Sequence, residues 1–178
     1  EERNYSIFPH RLASGEERIV EIYSSPIALG EKRALFSIIH DVTQRKRVDE
    51  ELRKSVESYR TLFDNMMDGI YRSTHEGKFV DVNPAMVKMF GYSSREEMLE
   101  VNIKKDLYFA PEERGSHILD TGQEETEVYR MRRKDGTEIW VEDHGHYVHD
   151  EQGNILYHEG MLRDVTARQR AEDMQRFA

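Results

Sequence analysis

Asp41-Val42-Thr43 recurs as Asp164-Val165-Thr166, 123 positions later. An internal repeat constrains a chain more than any single motif, because both copies must be served by one local architecture. The first copy ends an apolar run, Leu35, Phe36, Ile38 and Ile39, and opens a basic stretch, Gln44 to Arg47. The second ends Leu156, Tyr157, Met161 and Leu162 and opens Ala167 to Arg170. Upstream, Ser14-Gly15-Glu16-Glu17 with Val20-Glu21 matches Asp135-Gly136-Thr137-Glu138 with Val141-Glu142, now 121 positions apart. The difference falls between the last two strands of each copy, where a hairpin loop tolerates insertion. About a hundred residues separate the second Asp-Val-Thr from the basic stretch behind the first, whereas only 40 residues precede the first copy. The first copy is therefore expected to be the back half of a unit whose front half lies outside the chain.

The complete unit can be read element by element. Val48, Leu52, Val56, Tyr59, Phe63 and Met66 recur at steps of three and four between Arg45 and Met66, an amphipathic helix. Gly69–Ser73 and Lys78–Val82 alternate as strands around a His75-Glu76-Gly77 turn. Asn83-Pro84 starts a helix, since Asn caps and Pro fits the first position, and Gly91 suits its end. Ser94 with Glu97 is a capping box, and Pro111 opens a further helix. Val128–Arg133, Glu138–Val148 and Ile155–Arg163 are strands with turns at Lys134-Asp135-Gly136 and Asp150–Asn154. Thr166 with Gln169 is a second capping box, opening a charged helix that leaves the domain. In the first copy the strands are Phe8–Arg11, Ile19–Ser24 and Leu35–His40.

Composition removes several classes of function. The 178 residues carry 26 Lys and Arg against 35 Asp and Glu, a net charge of −9 that disfavours nucleic acid as a partner. With no Cys, disulfides, thiolate–zinc sites and cysteinyl–flavin photochemistry are excluded. The longest uncharged run, Ile22 to Gly30, is far short of the roughly 20 apolar residues of a membrane span. No signal peptide is visible, and a cytoplasmic piece of a longer, elsewhere membrane-anchored or soluble protein is expected. No Gly-rich phosphate loop, His-Glu-x-x-His helix or Gly-x-Ser-x-Gly elbow is present, so no catalysis is expected from the chain itself.

Asp68-Gly69-Ile70, the Glu76-Gly77 turn, Asp81-Val82-Asn83-Pro84-Ala85, Phe90-Gly91-Tyr92, Arg133-Lys134-Asp135-Gly136, Trp140-Val141-Glu142 and Asp164-Val165-Thr166 stand in a fixed order. In that order and spacing they resemble the PAS (Per–Arnt–Sim) sensory family, from about Tyr59 to Thr166, with Phe8 to Thr43 as the tail of a preceding copy. The resemblance implies an α+β fold: a five-stranded antiparallel sheet with short helices over one face, enclosing a small pocket and flanked by amphipathic signalling helices. The expected divisions are 1–43 (truncated first copy), 44–60 (linker helix), 61–166 (complete domain) and 167–178 (exit helix). It further implies an output domain in the same chain: a histidine kinase, a cyclic-dinucleotide enzyme or a chemoreceptor.

A pocket is expected between a sheet face carrying Ile70, Tyr129, Met131, Val141, Asp143 and Gly145 and helices carrying Met86, Met89, Phe90 and His117. Asp143 allows two readings. It faces the interior and, with the gap at Gly145, receives a polar ligand group; or, the preferred alternative, a register slip turns it outward or Arg72 or Arg130 satisfies it. Arg114 and His117 resemble the axial-histidine segment of haem-binding oxygen sensors, against a chance spacing on an exposed helix. His144 and His146, with His149 or His158, have metal-site spacing, but share a face with Trp140 and Glu142 that reads as outer surface. Met66, Met67, Met86, Met89, Met98, Met131 and Met161 make a Met-rich interior, as adaptable pocket lining or as plain core. The residues choose no cofactor; non-covalent flavin, haem or a small acid stay open.

Two functions follow. One is a sensing and relay module for a small ligand or partner, in which Thr43 and Thr166 cap the outgoing helices while Asp41 and Asp164 sit near their positive ends, held by a basic residue. The other is a ligand-free dimerisation and spacer module. In both, a homodimer with Val48, Leu52, Val56 and Tyr59 at or near its interface is expected, because that apolar stripe needs cover.

Overall fold

A computed structural model describes residues 4–109 and 125–176. The chain divides into two compact units, Glu1–Tyr59 and Arg60–Ala178. The helix expected at Pro111 and His117 with it lie outside the described residues.

In the first unit, strands β1 (Asn4–Arg11), β2 (Glu17–Leu29) and β3 (Lys32–Asp41) form an antiparallel sheet in the order β1-β2-β3. Hairpins dictate that order, with Gly15 and Gly30 in the left-handed backbone region that their turns require. Helix α1 (Thr43–Asn65) follows. Along it, Val48, Leu52, Val56, Tyr59 and Leu62 are exposed. The intervening charges pair along the helix, Arg53 with Glu50 at 2.9 Å and with Glu57 at 3.5 Å.

The second unit holds an antiparallel five-stranded sheet, β4 (Gly69–Ser73), β5 (Phe79–Val82), β6 (Glu125–Arg132), β7 (Glu138–His149) and β8 (Ile155–Asp164), ordered β5-β4-β8-β7-β6. This is the expected α+β architecture. Helices α2 (Pro84–Phe90) and α3 (Arg95–Leu99), with a π-helical turn at Ile103–Leu107, supply its other apolar surface. Together, Val82, Met86, Phe90, Met98, Leu107, Ile139 and Val141 are fully buried between these elements and the sheet. Helix α4 (Thr166–Arg176) leaves the last strand. Among the described residues no helix is long and apolar enough to cross a membrane.

Buried Asn83 joins three elements. Its side-chain oxygen accepts from the N–H groups of Met86 and Ile70, both at 2.9 Å, and its amide donates to Asp68 O at 3.0 Å and Phe63 O at 3.2 Å. One side chain thus caps α2, opens β4 and catches the end of α1, with no polar atom left unsatisfied. Gly91 closes α2 at φ 74°, as its position predicted.

Two expectations are corrected. Met66 is exposed and Met67 is 95% exposed, so the Met-rich interior is confined to Met86, Met98 and Met131, with Met89 and Met161 half-buried. The helical period of the sequence carries on to Met66, but the helix stops at Asn65. Nor do Thr166 and Gln169 form a capping box. The Thr166 hydroxyl accepts from the N–H of Trp140 on β7 at 3.0 Å, while Gln169 N–H bonds Val165 O as an ordinary helical turn.

Candidate functional site

Side chains on one face of the five-stranded sheet alternate inward: Gly69, Tyr71 and Ser73 on β4; His158, Gly160 and Leu162 on β8; Ile139, Val141, Asp143 and Gly145 on β7; Tyr129 and Met131 on β6. Asp143 is 5% exposed. Tyr71 donates to its two oxygens at 3.0 Å each and Tyr129 donates to Oδ2 at 2.5 Å. A buried carboxylate is costly unless hydrogen-bonded, and the two phenols supply short, charge-assisted donors. The preferred sequence reading is therefore corrected: Asp143 points inward, while Arg72 pairs with Glu159 and Arg130 with Glu138. Burial pushes the Tyr129 phenol well above its usual value, with the Asp143 charge adding to it. His158, also 5% exposed, places Nδ1 at 3.3 Å from the Tyr71 hydroxyl.

Two glycines make room for this cluster. Gly145 and Gly160 face each other across β7 and β8. A Cβ on Gly145 would stand 2.5 Å from His158 Nε2, and one on Gly160 would stand 2.7 Å from the Tyr71 oxygen. The gap expected at Gly145 for a ligand is thus filled by His158 and Tyr71, a correction to its assignment. Glycine within a strand signals close approach of another group, and the pair was the available sign of Tyr71, which the sequence reading missed, and of His158, which it named only in a metal set.

A cavity of about 20 Å³, room for about one water, is lined by Tyr71, Ser73, Phe79, Met86, Ile103, Tyr108, Tyr129, Met131 and Leu162. It brings together three of the expected residues, Met86, Tyr129 and Met131. Phe90 and Val141 are fully buried core and Met89 packs beside them, outside the cavity lining. Ile70 is corrected to the outer face: it lies one residue from inward-pointing Gly69 and Tyr71 and pairs with Met161. His144, His146 and His149 are exposed while His158 is on the inner face, so the metal set is not assembled. Among the described residues no cluster of three His, Asp or Glu forms a metal site.

The junction behind β8 is tied by short bonds. Asp164 Oδ1 accepts from Thr166 N–H at 2.9 Å, and Oδ2 from Arg133 at 3.0 Å. Val165 N–H donates to Trp140 O at 2.9 Å. Asp164, held by a basic residue near the start of α4 as expected, is also the helix-start acceptor; the Thr hydroxyl, expected to cap the helix, reaches the sheet instead. Arg168 of α4 reaches Glu142 at 2.9 Å, and His144 meets the same carboxylate at 3.1 Å. Those two partners, His144 first, hold Glu142 below the usual carboxylate range. Asp41 and Thr43 repeat the arrangement: Thr43 N–H donates to Asp41 at 2.9 Å, Ile19 N–H donates to the Thr43 hydroxyl at 2.8 Å, and Val42 N–H donates to Ile19 O at 2.9 Å.

Sporulation kinase E of Bacillus subtilis is 32% identical over 83 residues, 46% of this chain and 11% of that kinase, so the match spans about a tenth of the relative's length. Among solved structures, the PAS domain of a protein from Colwellia psychrerythraea superposes with TM-score 0.56 at 24% identity, over 63% of this chain and 98% of that one. The PAS domain of an HTR-like protein from Haloarcula marismortui gives 0.55 at 22%, over 67% and 98%. A family model described as PAS domain matches residues 67–167, from the loop before β4 to the first turn of α4, which is the whole five-stranded unit with its exit junction. The chain belongs to the PAS domain family.

Proposed function

We propose that this chain is a regulatory, non-catalytic part of a multidomain signal-transduction protein, a sensor histidine kinase, whose PAS domain passes its state through α4 to an output domain in the same chain. The observation that carries this is the exit junction: α4 starts on bonds to two strands of the sheet, so its direction follows the sheet rather than the solvent. The similarity to a Bacillus kinase supports the output class. Residues 1–43 are the rear half of a second PAS domain, on the strength of the matching junction bonds, and 61–166 is the complete one. The assembly is a cytoplasmic homodimer through the exposed α1 stripe; Leu52→Glu should convert a dimer to a monomer in light scattering, and a monomeric unmutated chain at tens of micromolar overturns it. For the relay itself, Thr166→Val in the parent protein should change autophosphorylation at least about fivefold, the lower range of site-to-site coupling. Unchanged output in a folded variant overturns the reading.

The input is a small polar ligand at the Tyr71–Tyr129–Asp143 face. A second reading, a spacer that binds none, is favoured by the small cavity among the described residues. Native mass of the purified protein separates them: a retained small molecule supports the first, a bare chain mass the second.

A further inference from the structure

Arg133 directly follows β6 and sits where three elements converge. Its Nε donates to the carbonyl of Met89 at 3.0 Å, Nη1 to the carbonyl of Glu138 at 3.4 Å, and Nη2 to Asp164 at 3.0 Å. Met89 lies in the last turn of α2, where helix carbonyls lack an intrahelical partner and carry the negative end of the dipole. One turn earlier on that helix is Met86, whose side chain lines the cavity. Asp164, at the other end of the guanidinium, holds the first N–H of α4. The planar fork of an arginine can satisfy a carbonyl and a carboxylate in fixed geometry at once; a lysine ammonium is a single point on a flexible stem.

We propose that Arg133 is the positioning residue that couples the cavity-lining helix α2 to the exit helix α4. The proposal rests on the reading of α4 as the output element. A shift of α2 along its axis moves Met89 O, turns the guanidinium about its bond to Glu138 O, and moves the Asp164 carboxylate that starts α4. Stability is not the purpose of this side chain, since partly exposed ion pairs contribute little. The turn stays docked without it, because Lys134 N–H donates to Phe90 O at 2.9 Å. Removing the Arg133 side chain therefore cuts the link and leaves the fold.

Among its described residues the first unit lacks this connection. Its Asp41 is held by Arg18, which lies on β2 beside Ile19 and whose other partner is Glu16 of the same hairpin. That clasp closes on its own sheet.

Amide hydrogen exchange on the whole chain tests the coupling. Met86→Leu, a volume-conserving change in the cavity wall, serves as the perturbation; the N–H groups of Thr166 and Gln169 are the readout. With Arg133 present, Met86→Leu should change their exchange at least about fivefold. In Arg133→Gln and Arg133→Lys backgrounds the change should fall below about twofold, while the amides of Ile70 and Asn83 stay protected and report an intact fold. An equal response in all three backgrounds overturns the proposal, and so does no response with Arg133 in place. Either failure leaves the Thr166→Val output test standing, so the route and the relay are judged separately.

Discussion

The two Asp-Val-Thr junctions share their backbone bonds and differ in the arginine that holds the Asp. In the first unit Arg18 comes from the strand next to the junction; in the second Arg133 comes from the turn after β6 and also grips α2. The inner faces diverge further. Strand register places Phe8 where the second unit has Tyr129, Ile22 for Asp143, Leu35 for His158, and Ser24 and Ser37 for the glycine pair Gly145 and Gly160. The two serines bond each other at 2.8 Å. Where the second unit opens space for Tyr71 to reach a carboxylate and for His158 to reach Tyr71, the first presents an apolar floor, with Phe8, Leu35 and Ile39 exposed. The same strand frame thus carries either a polar cluster or a bare hydrophobic surface, and the difference lies in a few inward positions.

The comparison breaks first at the level of folding. Residues 61–166 alone should show one cooperative denaturation by circular dichroism, whereas a 1–43 peptide should show none, since a three-stranded sheet with an uncovered apolar face does not bury enough surface. A cooperative transition in the peptide would end the distinction. Asn83→Ala should cost the second unit about 3 kcal/mol, because four buried or half-buried backbone groups lose their partner at once. Urea midpoints measure it; a loss below about 1 kcal/mol would show that the loop finds other partners. Exchanging the floors is subtler. Asp143→Ile should destabilise by about 2 kcal/mol by removing the buried acceptor of the Tyr71 and Tyr129 hydroxyls, while the reciprocal Ile22→Asp, at a half-buried site, should cost less. Equal costs would mean that the cluster contributes nothing specific.

The smallest expected effect concerns acid. Hydrogen bonds from Thr43, and then Arg18, hold Asp41 below the usual carboxylate range. A carboxyl whose folded value is depressed stabilises fully above its unfolded value, about 3.9, and that contribution is lost as pH falls through the folded value. Exchange at the Thr43 N–H should therefore accelerate below about pH 4 beyond the intrinsic trend. Asp41→Asn should remove the extra pH dependence; its persistence would assign the acid effect to another group.

Much of the frame was readable in the sequence because its signals are local. The Asn83-Pro84 start, the Gly91 stop and the hairpin turns each concern neighbours within four residues, where backbone geometry allows few answers. The face of Ile70 was misread because strand parity turns on a single residue, and nothing local marks which of Gly69 and Ile70 points inward. The site was less readable still. Tyr71 and Asp143 are 72 residues apart, and Tyr71 and His158 are 87 apart. Arg133 reads as an ordinary turn residue until its bond to Met89, 44 positions away, is seen.

By itself the sequence determined a repeated sheet-to-helix junction, an α+β order of elements and the absence of cysteine chemistry, since periodicity, caps and composition act at short range. Only the tertiary structure decided that the Asp143 carboxylate is buried between two phenols, that glycines hold the space for Tyr71 and His158, and that the Thr hydroxyl serves the sheet while the Asp starts the helix. Those outcomes depend on which distant donors arrive within about 3 Å of a buried acceptor. Strand register and close packing set that distance, and residue type alone does not.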